Sequence, residues 1–196
     1  MIRRLAALAL LALLALAPIA GCSGRGARKD AARALRTAED SLSYWRWRAD
    51  SIEAVLGSLE QVKGQFVQGV GTSLYAAWFD SGEVRVIHEE MSLGQMGSRS
   101  NRYYFERGAP RLALESGMQP VDSTLTLRRL ERAVLFDDLG RLVAASKTLD
   151  SLKTWVAGYE AEATLIHAQQ LRTAAQDARS SRGTPAPLEG GIPAQR

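Results

Sequence analysis

The chain has 196 residues, a formal net charge of +4 and one cysteine. A charge so close to neutral argues against a nucleic-acid-binding protein, which needs a basic surface. One cysteine excludes an intramolecular disulfide and a zinc site built from cysteines, and the length suffices for one domain with a buried core.

The first residues have the pattern of an export signal. Arg3 and Arg4 precede an uninterrupted apolar run over residues 5–16. That run is too short to cross a bilayer, which needs about 20 apolar residues. A positive start followed by a short apolar stretch is typical of a secretory signal peptide.

This signal ends in the sequence IAGC at residues 19–22, where Cys22 is the single cysteine. The sequence resembles the lipobox of bacterial lipoproteins. The resemblance implies that residues 1–21 are removed as a signal peptide, that Cys22 is acylated, and that residues 22–27 form the lipidated cysteine and a short tether. It also implies a lipid-anchored protein of the bacterial envelope that faces the periplasm, with Ser23 favouring the outer membrane. The alternative is a plain secretory signal with an incidental cysteine.

Residues 28–63 carry apolar or small residues in a heptad pattern, which predicts one long coiled-coil-like helix. Gly64, Gly69 and Gly71 then end the pattern. The positions that repeat every three or four residues are Ala31, Leu35, Ala38, Leu42, Trp45, Ala49, Ile52, Leu56 and Leu59.

Residues 72–148 have the texture of an antiparallel sheet, since alternation and β-branched or aromatic residues become common there. Three stretches share a pattern in which a Phe (Phe79, Phe105 or Phe136) precedes a short polar turn and a second apolar run. Each stretch therefore predicts a β-hairpin, and together they predict a meander of about six strands. Gly82, Gly108 and Gly140 are expected in the left-handed conformation of the turns.

A second helix is predicted over residues 149–179, with an apolar track through Leu149, Leu152, Val156, Tyr159, Ala163 and Ile166. The two helices are expected to pair with each other or to pack on one face of the sheet. Residues 180–196 are rich in Pro, Gly and Ser and are expected to be disordered. The predicted fold class is α+β, an antiparallel meander of about six strands flanked by a long N-terminal helix and a C-terminal helix.

The stretch YWRWR is the candidate interaction site, with Tyr44, Arg46, Trp47 and Arg48 as its residues. Trp45 lies on the heptad seam, whereas Trp47 lies on the opposite side of the helix. Exposed aromatics beside Arg can stack on sugars, bind anionic lipid headgroups or form a protein interface. The favoured alternative is structural: Trp47 would belong to a second buried stripe that packs on the sheet.

Two other groups of polar residues have simpler interpretations. The sequence from His88 to Ser92 begins like the HExxH zinc motif, but Ser92 replaces the second histidine and the segment reads as a strand, so a solvated strand end is expected. His167 is expected to be a partly buried helix residue. Arginines of the sheet region could line an anion-binding face, although a solvated face is expected; they include Arg85, Arg111, Arg128, Arg129, Arg132 and Arg141.

These patterns favour a non-catalytic binding or scaffolding module of the cell envelope. We expect no catalytic residue, metal or cofactor, because the sequence lacks a polar constellation typical of an active site. The expected partners are membrane lipid through Cys22 and either another envelope protein or a cell-wall polymer, not nucleic acid. The alternatives are a small-ligand-binding or inhibitor lipoprotein and an envelope enzyme.

Overall fold

The computed structural model describes residues 37–68, 71–120 and 126–182. Residues 1–36, which include Cys22 with the predicted signal peptide and tether, and residues 183–196 lie outside the described part. The elements, in chain order, are α1 (Ala38–Glu53), a 3-10 turn (Leu56–Ser58), β1 (Glu60–Gln68), β2 (Gly71–Asp80), β3 (Glu83–Ser92), a second 3-10 turn (Gly94–Met96), β4 (Ser98–Glu106), β5 (Ala109–Pro120), β6 (Leu127–Phe136), β7 (Leu142–Leu149), β8 (Leu152–Thr154) and α2 (Gly158–Arg182).

The strands form one antiparallel sheet of eight strands in the order β1 to β8, so each strand pairs with its neighbour in the chain. The α+β meander is therefore confirmed, but the count of about six strands is too low. The sheet extends from Glu60 to Thr154 instead of over residues 72–148, because β1 begins at the end of the segment predicted as the first helix and β8 lies within the segment predicted as the second helix. In β1, Val62 and Phe66 lie on the same face as Tyr75 and Phe79 of β2, and this long-range pairing overrides the local helical pattern.

Helix α1 is shorter than predicted, since it ends at Glu53 rather than near residue 63. It begins at an N-cap in which the Thr37 hydroxyl accepts a hydrogen bond from the Asp40 amide at 3.0 Å. The seam is confirmed for Leu42, Trp45 and Ala49, which are buried. The seam contacts the sheet and not a partner helix.

Helix α2 begins at Gly158, nine residues later than the predicted residue 149, and continues to Arg182, so residues 180–182 belong to it and not to the tail. The predicted apolar track is wrong, because Tyr159 and Ile166 face solvent. The buried side carries mostly small residues: Ala161, Thr164, Ala168, Leu171 and Ala175. Bulky Phe and Tyr side chains of the sheet already fill most of this layer, so only small side chains such as alanine fit on the helix face that packs against it.

The two helices lie against two different cores on opposite faces of the sheet. Tyr104 belongs to the core under α1, and the next residue, Phe105, belongs to the core under α2. The same division separates Leu135 from Phe136, as expected when successive side chains of a strand point to opposite faces. The helices thus pack on the sheet, one on each face, instead of pairing with each other or sharing one face.

The three predicted hairpins share one geometry. In each, the pairing register shifts immediately before the Phe that the three stretches share (Phe79, Phe105 or Phe136), and the following strand contains one extra residue. Gly82, Gly108 and Gly140 have φ values of +88°, +75° and +77°, so the predicted left-handed glycines are confirmed. The sequence predicts turns of three or four residues, but the first two turns are tighter: only two residues separate their strands, and both have positive φ.

Gly108→Val tests this turn. At φ +75° a β-branched side chain is strained, and the first added carbon would lie 2.9 Å from the Arg172 guanidinium. We expect the free energy of unfolding of the full chain in detergent to fall by about 1–3 kcal/mol, measured by urea titration. Gly57→Val is the matched control, because a Cβ there has no heavy atom within 4 Å. Equal stability of the two variants would contradict the assigned turn.

Candidate functional site

Trp47 is 63% exposed, so the expectation that it packs on the sheet in a second buried stripe is wrong. The reason is geometric. Residues two apart on a helix point about 200° away from each other, and Trp45 already points at the sheet, where it is 7% exposed. Since the sheet contacts α1 on one side, the indole of Trp47 faces solvent.

Trp47 forms the rim of a shallow pocket of about 270 Å³ at the C-terminal half of α1. Ile52, Val55 and Leu59 supply its apolar lining, and Arg48 and Arg85 supply its charge, with Asp80 beside them. Val55 is itself 51% exposed. The Tyr44 ring lies next to the indole, with 6.0 Å between ring centroids. We call Tyr44, Trp47, Arg48, Val55 and Arg85 the Trp47 surface.

The structure does not bring all four candidate interaction residues together. Arg48 forms an ion pair of 2.9 Å with Glu106 and lies over the Trp45 ring at 5.0 Å. Arg111 also lies over the Trp45 ring, at 5.1 Å. Arg46 points to the other flank of α1, where it donates a hydrogen bond to the Ser146 hydroxyl at 3.2 Å. Tyr44, Trp47 and Arg48 therefore share one surface, and Arg46 belongs to another.

His88 is not a solvated strand end. Its Nε2 lies 2.7 Å from the Glu53 carboxylate at the end of α1, and the same carboxylate oxygen accepts a 2.7 Å hydrogen bond from Tyr104. The Trp78 ring packs on the imidazole at 4.6 Å between centroids. His88 therefore holds the C-terminus of α1 on the sheet.

The six sheet arginines do not form an anion-binding face, because each has a carboxylate partner. Arg85 pairs with Asp80, Arg111 with Asp138, Arg128 with Asp150, Arg129 with Glu131, Arg132 with Glu115, and Arg141 with Asp137.

A row of polar side chains lies beneath α2, and sequence reasoning missed it. Its members are consecutive cross-strand partners from β2 to β7, namely Tyr75, Glu89, Asn101, Glu115, Arg132 and Lys147. Their spacing from the hairpin Phe residues was the available signal. Tyr75, Asn101 and Arg132 each lie four residues before a Phe, and Glu89, Glu115 and Lys147 lie ten or eleven residues after one.

Glu89 is the most buried member of the polar row, with 0% exposure. Its carboxylate accepts hydrogen bonds from Ser73 at 2.5 Å and from Asn101 at 2.9 Å, and it lies 2.9 Å from Nε2 of His167 on α2. The other ring nitrogen of His167 faces the Gln68 side-chain oxygen at 2.9 Å. A doubly protonated imidazole can donate to both acceptors and places its charge against that of Glu89.

Burial raises the pKa of Glu89, but the hydrogen bond and charge of His167, with the Ser73 and Asn101 bonds, outweigh it and leave this pKa below its ordinary value. Farther along the row, Arg132 contacts Glu115 at 2.5 Å and Lys147 contacts Glu160 of α2 at 2.7 Å. A cavity beside the row measures about 10 Å³, the limit for one water molecule. The row thus attaches α2 to the sheet.

Glu89→Gln tests this attachment through pH. Because the folded chain holds Glu89 below the ordinary pKa of 4.5, its stabilisation is complete above that pH and is lost as the pH falls through the lowered value. Removing one partner of a buried ion pair costs about 3–5 kcal/mol, so we expect Glu89→Gln to lose stability at pH 7. We also expect a smaller difference in the free energy of unfolding between pH 7 and pH 4 than in the unmodified chain.

Glu90→Gln is the control, because Glu90 is the exposed neighbour that accepts a hydrogen bond from Ser100. Urea titrations at both pH values compare the three proteins. The interpretation fails if all three show the same pH dependence.

Comparison of the chain with protein-family models, curated proteins and solved structures found no match. Within residues 37–68, 71–120 and 126–182, no three His, Cys, Asp or Glu side chains come together as metal ligands. Neither described helix is long and apolar enough to span a membrane.

Proposed function

We propose that the chain is a lipid-anchored lipoprotein of the bacterial envelope, facing the periplasm, and that it acts as a non-catalytic binding module. The observation that carries the binding role is Trp47, an indole that is 63% exposed beside an apolar pocket. Tryptophan, tyrosine and arginine are enriched at the centres of protein interfaces, where one aromatic side chain can supply much of the binding energy. The Trp47 surface presents all three residue types.

A protein partner fits this surface better than an anionic membrane does. The two cations of the Trp47 surface already have carboxylate partners, since Arg48 pairs with Glu106 and Arg85 with Asp80. Paired cations give an anionic lipid surface little net charge to bind. The pocket of Ile52, Val55 and Leu59 can instead accept an apolar side chain of another envelope protein.

The buried polar residues support a non-catalytic role. Glu89 and Glu115 are 0% and 8% exposed, and both are occupied by partners within the fold. A catalytic acid or base must reach a substrate within hydrogen-bond distance. Glu89 is closed to solvent and stabilises the packing of α2, and Glu115 is held by Arg99 and Arg132.

The proposed anchor rests on the sequence, because Cys22 lies outside the described residues. We expect Cys22→Ala to abolish incorporation of a fatty-acid probe into the protein in cells, since the acylated sulfur is removed. Ser23→Ala, which changes the next residue and keeps the thiol, should label normally. Equal labelling of Cys22→Ala and the unmodified chain would overturn the lipoprotein assignment.

Trp47→Ala tests the interaction surface. Because the indole is largely exposed, the free energy of unfolding should change by no more than about 0.5 kcal/mol, whereas truncation of the buried Trp45 should cost about 3–5 kcal/mol. A photo-reactive residue at Ser51, which lines the pocket, should crosslink a discrete protein partner in cells, and Trp47→Ala should abolish that adduct.

Trp155→Ala provides the matched control, since Trp155 is 75% exposed and lies outside the Trp47 surface. This variant should retain the adduct. An adduct that survives Trp47→Ala would show that the indole is not an interface residue. If Trp47→Ala instead lowers the free energy of unfolding by about 3–5 kcal/mol, Trp47 is a packing residue and not an interface residue.

A further inference from the structure

A second concave surface lies on the other flank of α1, between this helix and strands β5 to β8. It is an open cleft of about 840 Å³, within the range of sites that hold small ligands. Leu42, Leu114 and Ala144 line it with apolar surface, and Leu42 and Ala144 belong to the core under α1. The floor is thus firmly packed and offers small apolar contacts rather than a deep hole.

The helix wall of the cleft is a single stripe of polar residues. Glu39, Ser43, Arg46 and Asp50 follow one another at spacings of four, three and four, which places them along one side of a helix. Their order is carboxylate, hydroxyl, guanidinium, carboxylate. Arg46 donates to the Ser146 hydroxyl, and no carboxylate of the described residues contacts it.

The strand wall repeats the same chemistry. Glu131, Thr148 and Lys153 are cross-strand partners on β6, β7 and β8 and therefore share one face of the sheet. Within the described chain, no hydrogen bond or ion pair involves the Lys153 ammonium group. By contrast, the nearby Arg128 and Arg129 each form an ion pair with a carboxylate.

We propose that this cleft binds a short peptide of mixed charge with small side chains. Carboxylates of the ligand would contact Arg46 and Lys153, and an amine would contact Glu39 or Asp50. Alternating charge on both walls disfavours a polyanion or a polycation, each of which would meet like charges along its length. The floor of Leu42, Leu114 and Ala144 fits side chains the size of alanine.

Stem peptides of the bacterial cell wall have this chemistry, since they combine alanine with a dicarboxylic and a diamino residue. The peptide class follows from the cleft alone and is independent of the Trp47 surface. Only the identification of the bacterial cell wall as the source of the peptide rests on the envelope location proposed above.

The test is calorimetric titration of the full chain in detergent with the pentapeptide L-Ala-γ-D-Glu-L-Lys-D-Ala-D-Ala. We expect saturable binding that Lys153→Ala weakens by about tenfold, the effect of losing one charge-assisted hydrogen bond. Ser146→Trp should abolish binding, because Ser146 lies on the cleft wall and an indole there fills the space.

Ser100→Trp is the matched control. Ser100 is another half-buried serine with one side-chain hydrogen bond, to Glu90, and it lies outside the cleft lining. Ser100→Trp should bind the peptide like the unmodified chain. Trp47→Ala should also bind it normally, so this titration tests the cleft independently of the Trp47 surface. Thermal melts of both Trp variants establish that they fold.

An α-linked all-L peptide of the same residues distinguishes the two sources of the ligand. Preference for the γ-linked peptide supports the cell wall, and preference for the α-linked peptide supports a segment of an envelope protein as the source of the same chemistry. Absence of binding by both peptides overturns the proposal, as does equal loss in Ser146→Trp and Ser100→Trp, or full affinity in Lys153→Ala.

Discussion

The architecture depends on one constraint: both faces of the sheet are apolar. Neighbouring residues of the central strands, such as Val86 with Ile87 and Tyr104 with Phe105, are all almost completely buried although they point in opposite directions. A single sheet with two apolar faces must be covered twice. This requirement separates the helices, because two helices paired with each other or stacked on one face would leave the opposite aromatic layer in water.

The two helices meet this requirement in different ways. α1 inserts one large side chain, Trp45, which two guanidinium groups cover, and it is fastened at its end by Glu53 to His88 and Tyr104. α2 presents a face built mainly from alanine. Polar contacts also attach it to the sheet, among them His167 to Glu89 and Glu160 to Lys147. Its last residue, Arg182, donates to backbone oxygens of β1 and so covers part of that edge strand.

Features that depend on local backbone geometry were predicted correctly from the sequence. The turn glycines and the seam of Leu42, Trp45 and Ala49 follow from backbone sterics and helical spacing, and these are confirmed. Sequence reasoning misassigned β1 and β8, whose strand conformation depends on partners elsewhere in the chain. It also predicted burial of Tyr159 and Ile166, since an apolar spacing does not show which side of a helix the sheet will contact. The prediction that Trp47 packs on the sheet in a second buried stripe was wrong because α1 contacts the sheet on one side only, and Trp45 occupies that side.

The polar row shows why the interior site escaped sequence reasoning. Glu89, Asn101 and Glu115 are far apart in sequence, and only the strand register makes them neighbours. Their equal spacing from the hairpin Phe residues is visible in the sequence once those hairpins are treated as one repeated unit. The third unit places Arg132 where the first two place Tyr75 and Asn101, and Lys147 where they place Glu89 and Glu115. Of these two cations, Arg132 pairs with Glu115 of the preceding unit and Lys147 pairs with Glu160 of α2.

A consequence of this arrangement is that α1 is the element most free to present groups to a partner. Its underside is fixed by Trp45 and Glu53, and its two flanks display the Trp47 surface and the mixed-charge cleft. Groups held on a fastened helix lose little additional freedom when they bind, which favours affinity from a small contact area. By contrast, the ionisable groups of α2 that point inward are already paired with the sheet. Both proposed sites therefore lie on the helix that follows the proposed anchor at Cys22 in the chain, and the sheet and α2 serve to hold that helix in a fixed orientation.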